Sequence, residues 1–382
     1  MNLISRSDRG AVARWWFTID RTLMCSVMLL MAVGVLVSMA ASPPVAERIG
    51  LDSFHFFKGQ LVFLGLGLCV LTAGSFLGVA AVRRFGLLAF IAGIILMALA
   101  LKFGPEIKGA HRWIFLGPLN LQPSELAKPG FVILAAWLLS EHAKRPDMPG
   151  RILAFLSAGI FIGLLVLQPD FGQTALVTLT FGAMLLVFGI SWTVIGGLVG
   201  SVGLGAGFSY LLVPHVASRI NRFLHPDKGD TFQTDTAVSA FNNGGLMGTG
   251  PGGGTAKMVL PDAHTDFAFA VVGEEFGLIA CLGLIALFFF IIMRVLQRAK
   301  LESDAFAALA MTGLVSMFGF QACINMGVNA GLLPAKGMTL PFISYGGSSL
   351  IGTAMAMGFI LALSRRSSHA SVTSFNAPSV PA

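Results

Sequence analysis

The chain predicts an all-α integral membrane protein: a bundle of ten transmembrane helices, both termini cytoplasmic, with two long extracytoplasmic loops. Three observations predict it. Of 382 residues, 55% are hydrophobic and only 11% are charged, whereas soluble domains carry about 25% charged residues; the mean hydropathy is +0.81. Apolar runs of about 20 residues, long enough to cross a hydrocarbon core, recur along the whole length. Lys and Arg gather at alternate ends of those runs, as cytoplasmic turns require.

The first span, 22–41, follows a basic cytoplasmic lead, residues 1–21, with Arg6, Arg9, Arg14 and Arg21. The small residues of "SMAASP" resemble a signal-peptide cleavage site, but an apolar run of about 20 residues is too long for most signal peptides. We read an uncleaved anchor. Spans 58–77 and 85–103 flank Arg83 and Arg84, and spans 124–140 and 152–167 flank Lys144, Arg145 and Arg151. Span 174–190 follows the break at 168–172, and span 194–213 follows Ser191–Trp192. The latter carries six glycines between Gly196 and Gly207, which allow close approach of a helix or lipid. Spans 267–295 and 306–332 flank Arg294, Arg298 and Lys300, and span 344–363 ends at Arg365 and Arg366. The membrane domain therefore covers residues 22–366, and the polar tail 367–382 is expected to be disordered. This charge placement accounts for the net +7 without a nucleic-acid partner. All four cysteines fall inside spans, with no metal-ligand spacing.

Two outer loops, 104–128 and 214–265, are too long to be mere connections. The glycine-rich residues 244–254 could offer amides to phosphate, but no lysine and hydroxyl follow at P-loop spacing. A flexible hinge is the expected reading. Ionisable groups at membrane depth are costly and mark functional sites or paired structural ions. Asp266 stands at the outer mouth of span 267–295, beside His264, Thr265, Phe267 and Phe269. Burial against those rings disfavours its charged form and suits a base; a helix N-cap is the plainer alternative. Glu274 is about 12 Å further along a continuous helix. Gln321, Asn325 and Asn329 recur every four residues and are expected to face Glu274 and satisfy it as a structural network. Glu125 and Lys128 can pair across one helical turn, or Lys128 can face a lipid headgroup. His111 and Arg112 lie just upstream, and Arg219 and Arg222 begin the large loop; Arg binds phosphate oxygens bidentately.

The blocks "GAHRWIFLGPLNLQPSELAK", "QPDFG", "GGLMGTGPGGG", "LPDAHTDFAFAVVGEE" and "GLLPAKGMTLPFISYGGSS" occur in an order and spacing that resemble the SEDS family (shape, elongation, division and sporulation). The resemblance spans all ten expected helices and is closer to the cell-division branch than to the elongation branch. It implies a peptidoglycan glycosyltransferase that polymerises lipid II on the outer face of the bacterial inner membrane, at the division septum. Undecaprenyl pyrophosphate would leave. A class B penicillin-binding protein would be the transpeptidase partner, among other division membrane proteins. The family's essential aspartate falls on Asp266. Its Glu and Lys fall on Glu125 and Lys128, and Gln122, Ser124, His111, Arg112, His264 and Thr265 are assigned with them to substrate binding. Three positions depart from the usual pattern: Asp262 replaces a glutamate, Gln173 stands as an extra residue after "QPDFG", and Pro129, which could loosen the helix start, follows Lys128.

The inventory suits that reaction. A diphosphate is a good leaving group that needs charge neutralisation rather than an acid, so one carboxylate base with nearby cations suffices. Lys128, Arg112 or a divalent cation, Mg²⁺ or Mn²⁺ held partly by phosphate oxygens, would meet the departing charge. A lipid II flippase, with a path open alternately to both faces, and a non-catalytic division scaffold are the competing readings.

Overall fold

The computed structural model describes residues 10–107, 109–117, 119–191, 232–334 and 337–365, with single positions between 193 and 211. Most of the expected span 194–213, Arg219, Arg222, residues 1–9 and the tail from 366 lie outside the described residues. The helices are α1 (Ala11–Thr18), α2 (Arg21–Arg48), α3 (His55–Ser75), α4 (Val79–Phe103), α5 (Pro123–Lys144), α6 (Gly150–Leu167), α7 (Phe171–Phe188), α8 (Phe232–Gly244), α9 (Ala256–Val259), α10 (Ala268–Leu301), α11 (Ala305–Asn329) and α12 (Gly347–Leu363). Among the described residues, seven helices (α2, α3, α4, α6, α7, α10 and α11) are long and apolar enough to cross a membrane.

Burial separates an inner layer from an outer one. The apolar window of α11 is 72% buried, that of α3 only 22%, so α11 is central and α3 turns most of its apolar surface outward, as a lipid-facing helix does. Around α11 pack α5, α7, α10 and α12. Phe131 of α5 anchors the packing of α4, α6 and α7: its ring lies 6.0 Å from Phe90, 5.6 Å from Phe161 and 5.7 Å from Phe181. At the end of the bundle rich in basic residues, Asp20 caps α2 and receives Arg294 Nε at 3.0 Å and Arg298 Nε at 2.7 Å.

The structure corrects the all-α expectation at the loop 104–128. Within it Ile114–Leu116 (β1) and Leu119–Leu121 (β2) pair antiparallel, Ile114 opposite Leu121. A loop held against the bundle must satisfy its own backbone groups, and a hairpin does so. Pro123 starts α5, and the helix continues through Pro129 without a break, so the expected loosening does not occur.

Residues 244–254 also depart from the flexible hinge expected of them. Gly277 breaks α10 at φ 76°, ψ −178°, a conformation open to glycine alone. Four backbone groups thereby lose their helical partners, and the glycine-rich segment supplies all four. Thr249 N–H donates to Glu274 O (2.9 Å) and Gly250 N–H to Glu275 O (3.1 Å), while Leu278 and Ile279 donate to Gly245 O (2.9 Å) and Leu246 O (3.3 Å). The segment is a strap laced into the broken helix, and a hinge is the wrong description. The amides of Thr249, Gly250 and Gly252 are spent on α10, which counts against the phosphate-cradle reading.

Candidate functional site

Asp266 does not sit on a helix. Residues 261–267 form turns, α10 begins at Ala268, and its N-cap Phe267 makes no side-chain capping bond. Asp266 is therefore not the cap that its position suggested. The carbonyl of Asp262 is the hub of the turn, accepting the N–H groups of Thr265 (3.0 Å), Asp266 (3.1 Å) and Phe267 (3.3 Å). Thr265 Oγ1 donates to the same oxygen. Asp262 adopts φ 53°, a left-handed conformation in which Asp is enriched; that suits aspartate at a position where the resemblance suggested glutamate.

From the other side, α11 holds the Asp266 backbone. Its carbonyl accepts Asn325 Nδ2 at 2.8 Å and Asn329 Nδ2 at 2.9 Å, and Asn329 Oδ1 accepts the Ala270 N–H at 3.0 Å. The polar stripe is real, but its partner is the Asp266 turn. Glu274 points elsewhere, its carboxylate accepting the N–H groups of Thr255 (2.8 Å), Ala256 (2.6 Å) and Lys257 (2.9 Å). The spacing of four identified the face of α11 correctly and its neighbour wrongly.

The stripe continues to a second cluster. Lys128 Nζ donates to Glu125 Oε1 (3.0 Å), Gln173 Oε1 (2.9 Å) and Gln321 Oε1 (3.2 Å), and Gln173 Nε2 donates to Glu125 Oε1 (2.7 Å). Gln321 in turn donates to Thr339 O at 3.0 Å. Lys128 is only 2% exposed, which overturns the reading that it faces a headgroup. A polar column thus runs from Glu125 and Lys128 through Gln321 and Asn325 to Asn329 and Asp266.

Arg112 joins this column at its edge. Its Nε donates to Gln168 O (2.9 Å), its Nη2 to Pro169 O, and its Nη1 lies 3.8 Å from Asp170. Burial pushes the Asp170 carboxyl above the ordinary carboxylate range, against the pull of Arg112. Gln122 reaches Asp170 through Nε2 at 3.3 Å, and its N–H donates to Ser348 Oγ at 3.0 Å. Ser124 is buried at the start of α5, and His111 Nδ1 lies 2.7 Å from Gly104 O, so His111 holds its own loop. The sequence motifs include Asp170 and Gln173 without assigning either a role, and Lys257 goes unmarked. Asp170 carries a readable signal, an aspartate opening an apolar run with Gln173 three residues on.

His264 lies among rings, 4.1 Å from Phe56 and 5.6 Å from Tyr345. Burial lowers its pKa to about 4, and its Nδ1 has no hydrogen-bond partner among the described residues. The imidazole is neutral at physiological pH. An opened loop would restore a value of about 6.5 and bind the proton first, so closure weakens as pH falls from about 6.5 towards 4. In an NMR titration the His264 midpoint is expected near 4; a midpoint at 6.5 or above would contradict this buried placement. Gly337 borders Asp266: a Cβ there would lie 3.2 Å from Asp266 Oδ2. Gly337→Ala should displace the carboxylate by a few tenths of an ångström, as a structure of the variant would show. A carboxylate that stays in place would show that this contact is slack.

A helical membrane protein with several spans, carrying a buried polar column beneath packed loops at one end, is the class that fold and site define. The model of the FtsW, RodA and SpoVE cell cycle protein family matches residues 20–369. The chain is 42% identical over 364 residues to a protein of Caulobacter vibrioides named "Probable peptidoglycan glycosyltransferase FtsW", covering 95% of this chain and 93% of that one. It is 36% identical over 357 residues to the protein of the same name from Coxiella burnetii, covering 90% and 95%. The fold is similar to a chain solved in a study of the structural coordination of polymerization and crosslinking by a peptidoglycan synthase complex, with TM-score 0.77, 30% identity and 91% and 98% coverage. It is also similar to the rod shape determining protein RodA of Thermus thermophilus, with TM-score 0.68, 30% identity and 91% and 97% coverage. The chain belongs to the FtsW, RodA and SpoVE family.

Proposed function

We propose that the chain is a peptidoglycan glycosyltransferase, polymerising lipid II at the outer face of the bacterial inner membrane for septal wall synthesis. In this reading it has ten spans, cytoplasmic termini, and a class B penicillin-binding protein as transpeptidase partner among other division proteins. The relatives' names support the activity. The observation that carries the mechanism is the held turn of Asp266, whose backbone is fixed by Asn325 and Asn329 while its side chain is only half-buried.

Asp266 takes the proton from the 4-hydroxyl of the acceptor sugar. That oxygen forms the new bond to the anomeric carbon of the donor, and the bond from that carbon to the diphosphate oxygen breaks. Undecaprenyl pyrophosphate leaves with the bonding pair. Direct displacement inverts the centre, so an α-linked donor gives a β-linked polymer. A preorganised cation at the departing oxygens stabilises charge where it develops. Arg112, 27% exposed, is better placed to meet them than buried Lys128. No group of three or more His, Cys, Asp or Glu side chains able to hold a metal occurs among the described residues. A divalent cation, Mg²⁺ or Mn²⁺, is proposed only as a companion of the diphosphate, and no step is routed through it.

The test gives lipid II to the purified chain with its transpeptidase partner and, separately, to vesicles holding the chain alone. Glycan polymer in the first arm is expected. Lipid movement in vesicles without polymer would establish the flippase reading, and neither result would leave the scaffold.

A further inference from the structure

We infer that Glu274, which the mechanism above does not use, is a positioning residue for Asp266; the inference rests on the reading of Asp266 as the base. Helix α9 has four residues, and its N-cap Thr255 offers no side-chain cap. A helix start leaves orphan amides, and here Glu274 caps them from another element, gathering three consecutive N–H groups at 2.6–2.9 Å. Glu274 is wholly buried, and an anion surrounded by such amides is well compensated. Beside it the buried Glu275 pairs with Lys257 Nζ and accepts Gly252 N–H at 3.1 Å. Both carboxylates therefore fix α9 to the outer segment of α10.

From α9 the chain has only a short way to travel before Asp266. Arg48 holds the carbonyls of Met258 (2.8 Å) and Leu260 (3.2 Å), Leu260 and Ala263 are fully buried, and the Asp262 hub then closes the turn. Several contacts hold the Asp266 turn. Asn325 and Asn329 fix it from α11, Tyr345 N–H donates to His264 O at 2.8 Å, and Glu274, with Arg48, fixes the segment that enters it. Releasing Glu274 frees three amides at the start of that segment, so the turn would lose the support at its entry and keep the others.

Gly254 provides a way to disturb the carboxylate without altering it: a Cβ at Gly254 would lie 2.7 Å from Glu274 Oε2. The full chain is compared as wild type, Glu274→Gln, Glu274→Asp and Gly254→Ala, reading kcat, KM for lipid II, and amide hydrogen exchange at residues 255–257. In Glu274→Gln and Gly254→Ala, exchange should accelerate by about tenfold or more. The rate kcat should fall by about tenfold or more with KM within about twofold, and Glu274→Asp should lie between wild type and Glu274→Gln. If Glu274→Gln fails to fold, Gly254→Ala decides. Unchanged exchange, or faster exchange with wild-type kcat, would overturn the inference. Wild-type polymerisation by Asp266→Asn in parallel would instead overturn the base assignment on which it rests.

Discussion

Asp266→Asn is expected to polymerise lipid II about 10²–10⁴-fold more slowly than wild type, the usual contribution of a general base. The substitution preserves shape and leaves the bonds from Asn325 and Asn329 in place, because they go to the backbone carbonyl rather than the carboxylate. The turn is likewise closed by backbone groups around Asp262 O. The folded yield and KM should therefore change little while kcat collapses, the pattern of a group whose contribution is made in the transition state. Initial rates of glycan formation measure it. A rate within about threefold of wild type would remove Asp266 from the proton transfer.

Lys128→Met should have the largest effect on stability. It leaves the Glu125 carboxylate, 4% exposed, without the ammonium that it meets at 2.9 Å, and among the described residues only Gln173 remains as a side-chain donor to it. Removing one partner of a buried ion pair costs about 3–5 kcal/mol, whereas replacing both is often nearly neutral. The thermal midpoint in detergent should fall sharply for Lys128→Met and recover largely in the double variant Glu125→Gln with Lys128→Met. The same double variant tests the assignment of both residues to substrate. If it folds and polymerises at the wild-type rate, Glu125 and Lys128 serve the scaffold alone.

Much of the fold is legible in the sequence because lipid leaves few choices. Long apolar runs announce the spans, and the clustered arginines in the last turns of α10 and the first turns of α4 mark one end of the bundle. The site residues are legible as anomalies, polar groups where apolar ones are cheaper. What the sequence conceals is who meets whom. The stripe Gln321, Asn325 and Asn329 shows its periodicity openly, yet nothing local distinguishes Glu274 from the Asp266 turn as its partner. Gly277 resembles the other glycines of the apolar helices, and its break is visible only through Gly245, Leu246, Thr249 and Gly250, about thirty positions earlier. A separation of 17 to 19 positions likewise hides the capping of α9 by Glu274. Helical extrapolation from Asp266 fails for a related reason: Asp262, at positive φ, holds residues 262–267 in a turn that periodicity does not encode.

The most direct test is a structure of the chain with its partner and an unreactive lipid II analogue in the acceptor position. The 4-hydroxyl of the acceptor sugar is expected within about 2.6–3.2 Å of the Asp266 carboxylate, directly or through one water. An acceptor sugar seated with its 4-hydroxyl against another side chain, with Asp266 facing away from it, would contradict the assignment of Asp266 as the base.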